Sequence, residues 1–254
     1  RLTYLDILGG NCLVEKNDSG KIQIYYKGLK RIKELMILRP TYTRIWLFHV
    51  MYADNILEND KSITKEEKGQ LGREALRSLE KAMAISPKRQ PILIVGAKLN
   101  FTLGKYDESK KMIQDCIKIN YDFPDCWWAK ASVQFKLKET KEAVETIKLS
   151  IKNGFFDDKD SATKNALAEL INLYNLGIKD ATGKEKTSNY ELLAVLYQKI
   201  IKLDYKNIQN HASLAYIYKG MGKYDKAIKE AGIVLELSPE SKKIVEDFLK
   251  TLQK

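Results

Sequence analysis

Long apolar runs are missing from this chain of 254 residues. None approaches the roughly 18–20 residues that a membrane span needs, and no signal peptide is visible. The chain begins at Arg1 rather than Met, so it is either cut from a longer chain or lacks a leader, and the missing targeting signal excludes no compartment. Arginine is absent after Arg89. That absence argues against a nucleic-acid partner, because arginine is the side chain that forks onto phosphates and guanines. The net charge of +11 divides evenly between the two halves, with acidic residues scattered among the basic ones. A lysine-rich solvated surface accounts for such a balance; binding of RNA or another polyanion through that surface is the alternative reading.

Cysteine and histidine are few and are not spaced as a metal centre needs. Cys12, Cys116 and Cys126 have no ligand spacing and make no disulfide framework. Cys116 stands where a helix wants a small apolar residue and reads as core; Cys126 lies close by across a helix-to-helix turn and is not expected to pair with it. His49 and His211 sit on apolar stripes of distant segments, without the orienting or reacting partner that a catalytic imidazole needs. The acidic pairs Glu66-Glu67 and Asp157-Asp158 fall in loops or at a helix start, where carboxylates favour the positive end of the helix dipole. Gly104-Lys105 and Gly222-Lys223 read as hairpin turns, because a phosphate loop needs a longer glycine-rich segment closed by Lys and a hydroxyl residue. The sequence thus offers no catalytic residue, no metal ligand set and no cofactor site, and the expectation is a protein that is not an enzyme.

What is present is a repeat. Hydrophobic residues make up 44% and charged residues 30% of the chain, the balance of a well-packed helical protein. The unit Ile208–Ser241 runs His211-x-x-Leu214-Ala215-x-x-Tyr218, then Gly222-x-Tyr224, then Ala227-x-x-x-Ala231, and closes on Pro239. Gln90–Phe123 carries Leu93-x-x-Gly96-Ala97, Gly104-x-Tyr106 and Ser109-x-x-x-Ile113; the unit that starts at Pro124 follows in phase with Trp127-x-x-Lys130-Ala131 and Ala143-x-x-x-Ile147. Met112, Cys116 and Ile119 share one helical stripe, as do Val144, Ile147 and Ile151. This pattern resembles the tetratricopeptide repeat. The resemblance implies an all-α fold, a right-handed α-solenoid of about six helix hairpins with a capping helix, and a partner bound on its concave face.

The whole chain, 1–254, is expected to be one such array. Residues 1–40 form an N-terminal hairpin (Leu2–Val14 and Lys21–Leu38), 41–87 and 160–207 form hairpins with long inserted loops, 90–157 hold the regular repeats, 208–239 hold the best-matching one, and 240–254 cap the end. The inserts are Asn55–Glu67 and Gly177–Asn189. In the cap, Ile244, Val245, Phe248, Leu249 and Leu252 are expected to face inward, since a solenoid must cover its last seam. Ala97 and Ala131 mark close approach of paired helices, while Leu93, Trp127, Tyr106 and Tyr224 are expected to fill the wider spaces between layers.

In the family resembled, the inner helix of each hairpin lines the groove, and the positions beside its core stripe point into it. Here these are Arg44, Leu47, Phe48 and Met51; Ile94, Val95, Lys98 and Phe101; Asp125, Trp128, Ser132 and Phe135; Asn165, Glu169 and Asn172; and Gln209, Ser213, Tyr216 and Lys219. Because successive helical residues lie about 100° apart, Trp127 in the core slot directs Trp128 toward the groove. Leu47, Ile94 and Trp128 stand where chaperone-binding members carry the polar clamp for a C-terminal carboxylate. An apolar helix or extended segment of another protein is therefore the expected partner.

A narrower resemblance rests on Ile85-Ser86-Pro87-Lys88-Arg89-Gln90, Phe123-Pro124-Asp125-Cys126-Trp127-Trp128, Lys152-Asn153-Gly154-Phe155 and Asn210-His211-Ala212-Ser213-Leu214-Ala215. These are similar to C-terminal repeat domains of bacterial O-antigen ligase or polymerase family membrane proteins. That resemblance implies a domain on the extracytoplasmic face, attached to a membrane domain of the same polypeptide that transfers lipid-linked glycan.

Overall fold

The computed structural model describes residues 18–157, 161–177 and 183–252. Among them there are twelve α-helices, one 3-10 turn and no strand, so the expected all-α architecture of paired helices is what the chain adopts. Helix formation follows the repeat: each amphipathic segment ends at a glycine, a proline or a polar turn and buries its apolar stripe against its neighbours. The chain divides into two compact units, Arg1–Ala129 and Lys130–Lys254.

The first unit holds α1 (Asp18–Leu38), α2 (Thr43–Asn59), α3 (Lys65–Ile85), α4 (Gln90–Thr102), α5 (Tyr106–Ile119) and the start of α6 (Pro124–Lys136). Helices α2 and α3 pack as one hairpin and α4 and α5 as the next, while α2 also packs on α1 and α4. Ile32, Ile45, Val50, Ile56, Ala75, Ala82, Ile92 and Leu99 form the seam between them. Close approach has a visible cause at Gly96, where a Cβ would stand 2.5 Å from Met112 Cε and 2.9 Å from Leu79 Cδ1. The second unit holds the rest of α6, then α7 (Thr140–Lys152), α8 (Ser161–Gly177), α9 (Gly183–Leu203), α10 (Ile208–Gly220), α11 (Tyr224–Leu237), a turn at Pro239–Ser241 and α12 (Lys242–Lys250). Its best-formed pair is α10 with α11, and α12 packs on α11.

Three of the turns inside hairpins share one construction. The backbone N–H of Lys105 reaches Asn100 O at 2.8 Å, that of Glu139 reaches Gln134 O at 2.8 Å, and that of Lys223 reaches Tyr218 O at 2.9 Å. These six-residue closures satisfy the last carbonyls of a helix and require a left-handed residue just before. Gly104 (φ 75°) and Gly222 (φ 70°) supply it, and in the third turn the residue is Lys138 (φ 62°). The Gly-Lys dipeptides are thus hairpin turns.

Several expectations are corrected. The insert after Ala53 is mostly helix rather than loop: α2 continues to Asn59 because Ile56 and Leu57 are buried in the core. Helix α3 begins at Lys65 behind Thr64, whose hydroxyl accepts from Glu67 N–H while the Glu67 carboxylate accepts from Thr64 N–H. Likewise α9 starts at Gly183, inside the second insert, where buried Asn189 accepts a 2.8 Å bond from Tyr174 OH. Tyr106 and Tyr224, expected between layers, are exposed, as are Ile119 and Ile244. Each of these four lies at a helix end or on a solvent face, where the neighbouring helix offers at most partial cover. Cys116 and Cys126, not expected to pair, form a disulfide with Cα atoms 5.9 Å apart. The α5–α6 turn is short enough to bring both into one buried cluster with Leu93. The expected helix at Leu2–Val14 lies outside the described residues.

Candidate partner-binding face

In the first unit, α2 and α4 are the first helices of neighbouring hairpins and pack against each other. On α2, Arg44 and Met51 are exposed and Phe48 is half-buried. The Arg44 guanidinium stands 5.3 Å above the Phe48 ring, a cation–π contact that holds both side chains outward. On α4, Lys98 is exposed, and Ile94, Val95 and Phe101 are half-buried; the Phe101 ring lies 5.2 Å from that of Tyr106. Lys98 Nζ is 3.7 Å from Asp54 Oδ2 and 3.7 Å from Glu58 Oε2. This ties α4 to α2 across the face and places two carboxylates beside the apolar side chains. Asp54 and Glu58 escaped the reading of the sequence, which ended the first helix near Ala53. Their signal was the spacing Met51, Asp54, Glu58, which continues one helical stripe past the repeat's usual length.

Leu47 does not belong to this face. It is buried in the core of the first unit with Val50 and Tyr52, because α2 is covered by α1 and α3 as well as α4 and its buried arc is wider than a two-helix stripe. Trp127 takes the core slot, its indole N–H donating to Tyr121 O at 2.8 Å, and Trp128, the next residue, is half-buried.

In the second unit Phe135 is also buried, stacked on Tyr174 with ring centroids 5.6 Å apart. Large residues on α6 and α8 meet there and close the space that a groove would need. Ser132 Oγ donates to Glu169 Oε1 at 2.6 Å, so predicted positions on α6 and α8 do lie side by side. Asn165, Glu169 and Asn172 form an exposed polar stripe on α8. Tyr216 is exposed on α10, its ring 4.8 Å from Phe248 of α12. Lys219 donates to Thr251 Oγ1 at 2.7 Å and is therefore partly engaged by the residues that follow α12.

The two histidines are structural. His49 is buried with Nδ1 3.0 Å from Ser78 Oγ, and burial, followed by the nearby positive charge of Lys33, pushes its pKa down to about 4. Both partners are 2% exposed, which leaves no path for a substrate to a Ser–His pair. His211 is held by Glu230 at 2.7 Å and Tyr205 O at 2.9 Å. Among the described residues no group of His, Cys, Asp or Glu is arranged to hold a metal, and no helix is long and apolar enough to cross a membrane. A cleft of about 420 Å³ opens between α1 and α3, lined by Tyr26, Lys33, Glu67 and Glu74 among others. Most of its polar groups are engaged. Glu74 accepts from Lys33 and Gln70, Glu67 caps α3, and Tyr26 donates to Asp60 at 2.9 Å. Burial and the neighbouring Asp60 carboxylate push the Tyr26 phenol up to about 12.

Residues 97–123 and 208–241 match the family described as Tetratricopeptide repeat. No curated protein matches the chain. Among solved structures, the human IFIT1 dimer with PPP-AAAA superposes with a TM-score of 0.51 at 16% identity, covering 92% of this chain and 56% of that one. Yeast Tom70 superposes at 0.50 with 14% identity over 92% of this chain and 59% of its own. MamA from Desulfovibrio magneticus RS-1 gives 0.45 at 18% identity, over 76% and 96%. At such identities the likeness is one of fold. None of these comparisons carries the resemblance to O-antigen ligase domains.

Proposed function

We propose that this chain, which carries tetratricopeptide repeats, is a non-enzymatic protein-interaction module that receives an amphipathic segment of another protein on its first-helix faces. The observation that carries the reading is the face of α2 and α4. There Phe48, Met51, Ile94 and Phe101 leave apolar surface uncovered, and Arg44, Lys98 and Glu58 give it charges of both signs, with Lys98 held in place by buried Asp54. An apolar strip rimmed by paired charges suits a helix or extended peptide with apolar anchors at helical or alternate spacing.

Panning of displayed peptide libraries on the purified chain, followed by calorimetry of the selected peptides, tests the reading. Phe48→Ala with Lys98→Ala should weaken the selected peptides by more than tenfold, since truncating a central anchor typically costs 2 kcal/mol or more, about thirtyfold. The variant loses core packing at Phe48 and the cation beside buried Asp54, so binding is compared at a temperature where circular dichroism shows both proteins fully folded. Selected peptides that bind the variant as tightly as the parent would remove this face from the function.

A further inference from the structure

The even spread of charge along the sequence hides two stretches that contain no acid. No Asp or Glu occurs in Leu35–Ala53 or in Lys81–Tyr106. Each stretch spans the turn between one hairpin and the next: Arg39–Tyr42 between α1 and α2, and Ser86–Arg89 between α3 and α4. Since successive helices run antiparallel, both turns fall on the same edge of the first unit. Thr43 Oγ1 and Ser86 Oγ, 2.9 Å apart, bring them side by side.

This edge is apolar and cationic together. Ile37 is 82% and Leu38 58% exposed at the very end of α1, and Tyr42 and Ile85 are exposed beside them. Arg39, Lys88 and Arg89 are exposed on the same turns. Some cations elsewhere in this unit are engaged (Arg31 with Glu34, Lys33 with Glu74, Lys98 with Asp54 and Glu58, Lys118 with Asp115), and what sets this edge apart is that its cations stand beside exposed apolar side chains in stretches without an acid. Arg39, Lys88 and Arg89 have no ion pair among the described residues. The next turn along, Asn120–Phe123, carries Asp122 and is followed by Asp125, so the cationic character stops there. The first turn is also stiff, because Trp46 Nε1 donates to Pro40 O at 2.7 Å.

We propose that the edge built by residues 37–42 and 85–89 is a peripheral docking site for an anionic lipid surface. Ile37 and Leu38 protrude from a helix end instead of lining a depression, so they suit insertion among acyl chains better than a fit to a rigid protein. Tyrosine is at home at the headgroup level. Three unpaired cations placed around the protrusion match the negative potential of an anionic leaflet. Either signal alone gives weak, reversible adsorption, and the two together give stable attachment.

Co-sedimentation of the chain with phosphatidylcholine vesicles, with and without phosphatidylglycerol as a minor component, tests this. Binding should require the anionic lipid and fall with salt. Arg39→Ala/Lys88→Ala/Arg89→Ala should lose about fivefold per cation, and Ile37→Ser/Leu38→Ser at least tenfold, both with unchanged thermal unfolding. No binding to anionic vesicles at low salt, or undiminished binding of both variants, would overturn the proposal. So would binding of single-stranded RNA through the three cations, or self-association through Ile37 and Leu38, in a protein that ignores vesicles. Loss of the α2–α4 face leaves this result untouched, so it stands or falls separately from the peptide-binding role.

Discussion

His49 and Ser78 meet at 3.0 Å in the sealed seam between α2 and α3, and the imidazole there is held neutral by burial. Its folded pKa of about 4 lies below the ordinary 6.5. Between those values the unfolded chain binds more protons than the folded one. The contribution of His49 to stability is therefore complete above about pH 6.5, declines as pH falls and is gone near pH 4, a loss on the order of 3 kcal/mol. Urea unfolding midpoints across that range should fall in the parent protein and stay flatter in His49→Gln. The depressed carboxyl groups of Asp60 and Glu74 act in the same direction but at lower pH. Parallel curves for parent and variant would show that the seam is not what titrates.

Lys138 holds the left-handed turn position that Gly104 and Gly222 hold elsewhere. A side chain with a Cβ is strained there, so Lys138→Gly should stabilise the protein by about 1 kcal/mol, while Gly104→Ala should destabilise it by a similar amount. Thermal unfolding of the pair against the parent reads both signs in one experiment. Equal melting temperatures would mean that the turn relaxes at no cost.

The bond between Cys116 and Cys126 closes a loop with a sequence separation of 10. Loop-closure entropy assigns such a cross-link about 2–3 kcal/mol. Reductant, or Cys116→Ser with Cys126→Ser, should lower the melting temperature accordingly. Thiol titration of the oxidised, denatured chain should find one free cysteine, Cys12. Three free thiols under non-reducing conditions would contradict the pairing.

Trp127 is buried against Tyr121, with ring centroids 5.0 Å apart, and also donates a hydrogen bond. Trp127→Ala should cost roughly 3–5 kcal/mol. Trp127→Phe, which keeps most of the area and loses the donor, should cost about 1 kcal/mol. Denaturant titration separates the two, and equal losses would assign the whole effect to the hydrogen bond.

Repeat phase was legible because it depends on spacing alone. Ala97, Ala131 and Gly96 announce close helix contacts whatever surrounds them, and Phe48, Met51, Ile94 and Lys98 follow from their place beside that stripe. Burial on a third side was not legible. Leu47 and Phe135 occupy the repeat positions that Ile94 and Phe101 hold in the second hairpin, yet are covered because α1 and Tyr174 reach them, and no local pattern records what a distant helix brings. The inserts misled for a related reason: their polar composition suggested loops, while Ile56 and Asn189 found buried partners that made helix the better state. The cysteines stand ten residues apart, a separation that does not reveal whether their side chains converge.

Helix α12 covers one side of the α10–α11 hairpin. It turns Val245 and Phe248 inward and leaves Lys242, Lys243, Glu246 and Asp247 in water. Tyr216 and Val234 lie on the two helices that lead up to it. Without α12, the apolar end of the α10–α11 hairpin would be a template on which a further hairpin, including one from another molecule, could stack. With α12 in place, a surface rich in charge stands where that seam would otherwise be open to water.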